Sequence, residues 1–311
     1  MEFLAQYGMF LLKTLTLVLA LLFLFGGIFA LRRKPKNDLT VTFLNKEYNH
    51  LINQMEKEIL GKKHKKLKSK KKTKSSVFVI DFNGDIKASQ VESLRDEVSA
   101  ILAIVGKNDE VLIRLESPGG SVNGYGLAAA QLQRLRDQNV TITACIDKVA
   151  ASGGYLMACV AHQIIAAPFA VVGSIGVITQ IPNFHRWLQK NDIDVELLTA
   201  GKYKRTLTVF GKNTAQGRAK FQEELELIHK NFQNYVLRNR TDLNIDQVAT
   251  GEHWLAMDAL ALRLIDKIQT SDEYIINKIS THNVYQIKVH YRPALLERIL
   301  KPAAQLLHPY A

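Results

Sequence analysis

Three short segments hold the residue types from which covalent chemistry could be built. In Ala150-Ala151-Ser152-Gly153-Gly154-Tyr155, a serine follows a strand-like run and opens a stretch of small residues that reads as a helix over residues 152–161. A hydroxyl at a helix N-terminus is exposed, and the dipole there favours developing negative charge. Serine is also a good N-cap, and position alone would favour that reading. The two glycines after it argue otherwise, because they lower helix propensity without an evident structural gain. In Ser117-Pro118-Gly119-Gly120, a proline and two glycines follow a strand over residues 111–115. They force a tight turn, let backbone approach a ligand, and could aim N–H groups at an oxyanion. Such turns are common, so the segment says little alone. The third segment is Gly201-Lys202-Tyr203-Lys204-Arg205, followed by Thr206-Leu207-Thr208-Val209-Phe210. A lysine in water is charged at neutral pH, whereas an amine under apolar cover can take up a proton. Residues 207–210 could supply that cover to Lys204.

The elements that must position these segments alternate between strand and helix. Residues 77–82, 111–115, 140–146, 163–167 and 175–180 read as strands too apolar to be half-exposed. Residues 91–104 are helical, and Tyr125, Ala128, Ala129, Leu132 and Leu135 mark the inner face of another helix. The alternation predicts an α/β domain with a largely parallel sheet. After Lys204 the pattern turns helical, with Phe221, Leu225, Ile228, Phe232 and Tyr235 on one face. A last amphipathic helix is expected over residues 293–307, its apolar face covered by another protomer.

The N-terminus reads differently. Residues 14–31 carry no charge and as a helix would span roughly 27 Å, near the thickness of a bilayer core. A cleaved signal peptide fits less well, because the start carries Glu2 and the apolar run is long. The expected organisation is a flank (1–8), a transmembrane anchor (9–31), an amphipathic helix (44–60) and lysine-rich linker within 32–75, an α/β domain (76–290) and a C-terminal amphipathic helix (291–311). The net charge is +12, of which residues 32–36 carry four positive charges and residues 62–74 nine lysines, leaving −1 for the rest. Basicity confined to two short segments argues against a nucleic-acid-binding domain. The lysine run reads as a solvated linker, with anionic lipid as its alternative contact. Cys145 and Cys159 sit in apolar stretches and read as buried thiols; no metal-ligand spacing occurs.

Taken together, these segments resemble the signal peptide peptidase A family of serine proteases, and its SohB subgroup in particular. The likeness rests on Ser117-Pro118-Gly119-Gly120, Ala150 to Tyr155, Val172-Gly173-Ser174-Ile175-Gly176-Val177, Gly201 to Lys204 and Gly251-Glu252-His253-Trp254, in that order. It covers residues 77–279 and the anchor. The resemblance implies a ClpP/crotonase-like spiral fold and a Ser–Lys dyad completed within one copy of the fold. Ser152 would be the nucleophile, Lys204 the general base, Ser174 a hydrogen-bond partner of the lysine amine, and Gly119 part of the oxyanion hole. The N–H of Gly153 is a reasonable second donor. It further implies no cofactor or metal, assembly into homo-oligomeric rings, and peptide or protein substrates at the lipid bilayer, such as signal-peptide remnants. A single-pass protein of the bacterial inner membrane with a periplasmic catalytic domain is expected, although basic residues after the anchor favour the cytoplasm under the positive-inside rule. Rival readings are a Ser–His–Asp triad using His162, His185 or His229, a crotonase-type acyl-CoA enzyme, and an inactive membrane scaffold.

Overall fold

A computed structural model of the protein describes residues 2–32, 38–60 and 75–291, without the side chains of residues 2–5, 22–32 and 60. The lysine-rich segment 61–74 and the expected helix over 293–307 lie outside the described residues. The chain divides into two compact units, residues 1–40 with 289–311, and residues 41–288. The first unit contains helix α1 (Glu2–Arg32). Among the described residues no helix is long and apolar enough to cross a membrane; the side chains of residues 22–32, over half of the uncharged run, are outside that set.

Strand β1 (Asp38–Phe43) leads into α2 (Leu44–Leu60), where the sequence periodicity predicts a helix. Its first turn is fixed to the body by Asn45, whose Nδ2 donates to the carbonyls of Ile279 and His282 and whose Oδ1 accepts from Val284 N–H. The order then runs β2 (Ser76–Asn83), α3 (Val91–Leu102), β3 (Glu110–Glu116), α4 (Val122–Asp137), β4 (Thr141–Ile146), β5 (Val149–Ala151), α5 (Gly153–Ala158), β6 (Gln163–Ala166), β7 (Val171–Gly173) and α6 (His185–Lys190). It continues with α7 (Ala215–Asn239), α8 (Ile245–Val248), β8 (His253–Leu255), α9 (Ala256–Ala261), β9 (Lys267–Ile268), α10 (Ser271–Thr281) and β10 (Asn283–His290).

The larger sheet has the order β1-β10-β2-β3-β4-β6-β9, and the register from β10 through to β9 is parallel at every pair. At the central strands β2, β3, β4 and β6 both faces are buried, as their apolar sequences require. Phe78, Ile80 and Phe82 of β2 alternate with Val77 and Val79, and the two sets join different cores. The first core holds the inner faces of α3 (Val91, Leu94, Val98, Ile101) and α4 (Tyr125, Ala128, Ala129, Leu132, Leu135); the second holds Ile275 of α10. Buried Glu110 ties α10 to the sheet by accepting from the Tyr274 hydroxyl, Thr143 Oγ1 and Lys278 Nζ.

Two expectations are corrected. Residues 175–180 are not a strand. The backbone turns left-handed at Ser174 (φ 52°) and leaves the ladder, and beyond it Ile178 stands 92% exposed, so burial does not hold an extended chain. The helix expected over residues 152–161 is only α5, six residues long.

Candidate active site

The smaller sheet, β5-β7-β8, brings segments distant in sequence side by side. Ser117 bridges Ala150 in parallel: Ser117 N–H donates to Val149 O (2.8 Å) and Ala151 N–H to Ser117 O (3.0 Å). Ala151 pairs with Gly173, and Ser152 N–H donates to Gly173 O at 2.8 Å. Gly173 in turn pairs antiparallel with His253, and Ser174 N–H donates to Glu252 O at 2.6 Å. Residues 117, 150–152, 172–174 and 252–254 thus form one ladder, carrying four of the five segments singled out in the sequence.

Ser152 is the end of that ladder's second rung and the residue before α5. Its backbone (φ 50°, ψ −117°) lies in a region that costs an L-residue about 1–3 kcal/mol. Its side chain makes no capping hydrogen bond, so it does not act as an N-cap. Among the described residues Oγ has no hydrogen-bond partner, and the residue is half-buried. The glycines flanking it do have a structural reason, contrary to the expectation from helix propensity. A methyl group on Gly153 would stand 2.3 Å from the Tyr125 ring, and one on Gly154 would stand 2.6 Å from Ser117 O. Only a chain without Cβ can bring α5 this close to α4 and to the 117–120 turn. Gly119 is packed as tightly on the other side, and its φ of +92° suits glycine. Its added methyl would lie 2.7 Å from Ser152 Cβ and 2.9 Å from Gly153 N.

A relay of hydroxyls holds the 117–120 turn. Tyr125 O–H donates to Asp85 O at 2.8 Å, so in the 2.5 Å contact between Ser117 Oγ and Tyr125 Oη the serine is the donor. Ser117 Oγ then accepts from Gly119 N–H at 3.1 Å. Both side chains are fully buried, and burial pushes the Tyr125 phenol above its ordinary range. Sequence reasoning assigned Tyr125 only to a helix face and gave Ser117 no role. The available signal was a tyrosine among alanines and leucines on a buried stripe, since a buried hydroxyl needs a partner. The Gly119 N–H is therefore engaged within the turn. Gly153 N–H, in the open first turn of α5, has no partner among the described residues.

Ser174 is half-buried one residue beyond β7. Lys204 lies exposed in the loop before α7, and among the described residues no hydrogen bond or ion pair involves its amine. Residues 207–210 do not cover it. Nearby, the Lys220 ammonium sits 5.4 Å from the Tyr203 ring centre. None of the three histidines is hydrogen-bonded to Ser152 among the described residues. His162 Nδ1 accepts from Ile142 N–H at 3.0 Å, and partial burial followed by the charge of Arg136 lowers its pKa. His185 opens α6. His229 Nε2 lies 3.2 Å from Ile175 O, to which it must donate. Cys145 and Cys159 are buried free thiols, and no cluster able to hold a metal occurs among the described residues.

The α/β body presents a strained, uncapped serine beside glycine turns, an arrangement that suits a nucleophile. Residues 134–284 match Peptidase family S49 and residues 2–132 match Peptidase family S49 N-terminal, and the chain belongs to this peptidase family. Relatives that cover nearly the whole chain include proteins of the SohB type. The "Probable protease SohB" of Haemophilus influenzae is 43% identical, covering 100% of this chain and 97% of the relative. That of Buchnera aphidicola subsp. Schlechtendalia chinensis is 47% identical over 89% of this chain and 100% of the relative. The chloroplastic serine protease SPPA of Arabidopsis thaliana is 32% identical over 52% of this chain and 24% of its own length. A solved membrane-bound stomatin-specific protease aligns over 74% of this chain and 98% of its own at 14% identity, with a TM-score of 0.44.

Proposed function

We propose that the protein is a membrane-anchored serine endopeptidase of ClpP/crotonase-like fold that uses Ser152 and Lys204 as a dyad. The observation that carries this reading is Ser152 itself, held in a costly backbone conformation with its hydroxyl unspent and glycine backbone on both sides. Ser152 Oγ attacks the scissile carbonyl carbon while its proton passes to the Lys204 amine. The oxyanion is met by Gly153 N–H and by Gly119 N–H, which gives up its long bond to Ser117 Oγ. The leaving amine then takes the proton from Lys204. Water repeats the sequence on the acyl-enzyme, and Ser174 holds the amine in place. The chemistry needs no cofactor or metal.

Lys204 needs cover that the isolated chain lacks. Exposed Ile178, Trp187, Leu198 and Phe210 flank its segment in sequence and support burial against a second copy in a homo-oligomer, rather than a dyad completed by one chain alone. The uncharged run 14–31 supports an anchor in the bacterial inner membrane and substrates at the bilayer, such as signal-peptide remnants. A periplasmic catalytic domain follows the resemblance, and protease accessibility in spheroplasts tests it. The catalytic reading is tested by labelling with a serine-reactive fluorophosphonate. The wild type should be labelled and Ser152→Ala should not. Lys204→Arg should lose peptide cleavage as fully as Lys204→Ala, because arginine does not release its proton. Labelling that persists in Ser152→Ala, or an active Lys204→Arg, would refute the dyad.

A further inference from the structure

The segment Gly251-Glu252-His253-Trp254 carries no chemistry in the proposed reaction, yet it forms the outer rung of the site ladder. We infer that Trp254 is a positioning residue that locks Gly173 and Ser174 in register with Ser152; the inference rests on the dyad reading given above.

The geometry makes Gly173 the hinge between the two serines. Its carbonyl accepts Ser152 N–H at 2.8 Å, and its successor's N–H donates to Glu252 O at 2.6 Å. Gly173 has φ +97° and Ser174 has φ 52°, so two consecutive residues sit in the left-handed region. Glycine takes this conformation freely, whereas it costs Ser174 about 1–2 kcal/mol, so neighbouring contacts must hold the strand end. The Trp254 ring covers it. A methyl on Gly173 would lie 2.7 Å from Cε3 and 2.8 Å from Cζ3 of the indole, so the ring lies flush on the Gly173 Cα. Gly251 closes the far side, where a methyl on Gly176 would meet its Cα at 3.0 Å. His229 of α7 also holds this segment, donating to Ile175 O. The indole is half-buried and packed on the main core, so its position is set by the body of the fold and passed to the site through β8.

If the ring is removed, Gly173 gains room and the left-handed pair can relax. Ser174 N–H then parts from Glu252 O, and the Gly173 carbonyl swings relative to Ser152 N–H. A displacement near 1 Å at reacting groups costs about 10²-fold in rate. A positioning role predicts that turnover falls while peptide binding changes little.

The test compares Trp254→Ala, Trp254→Leu and Trp254→Phe in the full-length protein. Peptide cleavage is normalised to fluorophosphonate-titrated sites, and amide exchange is followed at Ser152 and Ser174. Trp254→Ala and Trp254→Leu should lower kcat per titrated site by about 10²-fold with KM nearly unchanged. Both should speed exchange at Ser174, and Trp254→Phe should restore most of both. If Trp254→Ala does not fold, the leucine variant carries the comparison. Unchanged exchange at Ser174 would refute the clamp. Faster exchange with unchanged kcat per site would refute its role in positioning. If the wild type is neither labelled nor active, the dyad reading fails, and exchange alone still decides whether Trp254 holds Ser174.

Discussion

Replacing Gly119 by alanine tests the packing of the site most directly. The new methyl would stand 2.7 Å from Ser152 Cβ, 2.9 Å from Ala151 O and 2.9 Å from Gly153 N, and none of these is the free end of a flexible side chain. Ordinary contact begins near 3.4 Å, so the 117–120 turn or Ser152 must move by roughly half an ångström or more. Overpacking of this kind costs about 1–3 kcal/mol. Holding an L-residue at a φ of +92° adds about 1–2 kcal/mol. For a chain of this size the melting temperature should fall by roughly 3–8 °C. The rate should fall further than stability explains, because the displaced atoms are those next to the nucleophile. A shift of half an ångström implies a loss of about 10-fold or more in kcat at 20 °C, where the variant is still folded. Gly126 is the control: it lies within α4 with nothing within 4 Å of an added methyl. Gly126→Ala should stabilise by about 0.5–1 kcal/mol and leave turnover unchanged. The assay is peptide cleavage per fluorophosphonate-titrated site, alongside thermal unfolding of both variants. Wild-type turnover and melting temperature in Gly119→Ala would refute the close approach of the turn to Ser152.

Two further outcomes follow from burial and charge. Cys145 and Cys159 are held protonated by their apolar surroundings, with the Cys159 thiol pushed up to about 12. Since the thiolate is the reactive form, iodoacetamide at pH 8 should modify neither in the native protein and both in urea; rapid native modification would contradict their burial. The same upward shift means that the stability these two thiols contribute is whole at neutral pH and is lost as pH rises above the unfolded thiol value of about 8.5. Asp266 accepts both terminal nitrogens of Arg240, at 2.9 and 2.8 Å, and the N–H of Ile164 at 2.7 Å. Asp266→Ala leaves a guanidinium that is only 12% exposed with the Arg263 carbonyl at 2.8 Å but no counter-charge, and partial exposure of the carboxylate brings the expected loss to about 2–4 kcal/mol. A denaturant midpoint close to wild type would show that the pair is not holding β9 and α7 together.

The amino-acid order by itself determined the parts of this protein that depend on each element's own burial. Apolar runs such as residues 111–115 could only be strands covered on both faces, and Tyr125, Ala128, Ala129, Leu132 and Leu135 could only be one side of a helix. Unusual local chemistry was legible too: Ser-Gly-Gly after a strand and Ser-Pro-Gly-Gly in a turn mark backbone that something approaches closely. Periodicity reports whether a residue faces inward and is silent about which distant segment it meets there. The tertiary structure therefore decided that Ser117, Ser152, Ser174 and Glu252 lie on adjacent rungs, because strand pairing joins residues 22 to 80 positions apart. It decided why Gly153 and Gly154 are glycines, since the Tyr125 ring and Ser117 carbonyl that exclude a Cβ come from other elements. It also decided that Lys204 is exposed, because an apolar stretch next in sequence covers a neighbouring amine only if the chain folds back over it, and here residues 207–210 do not.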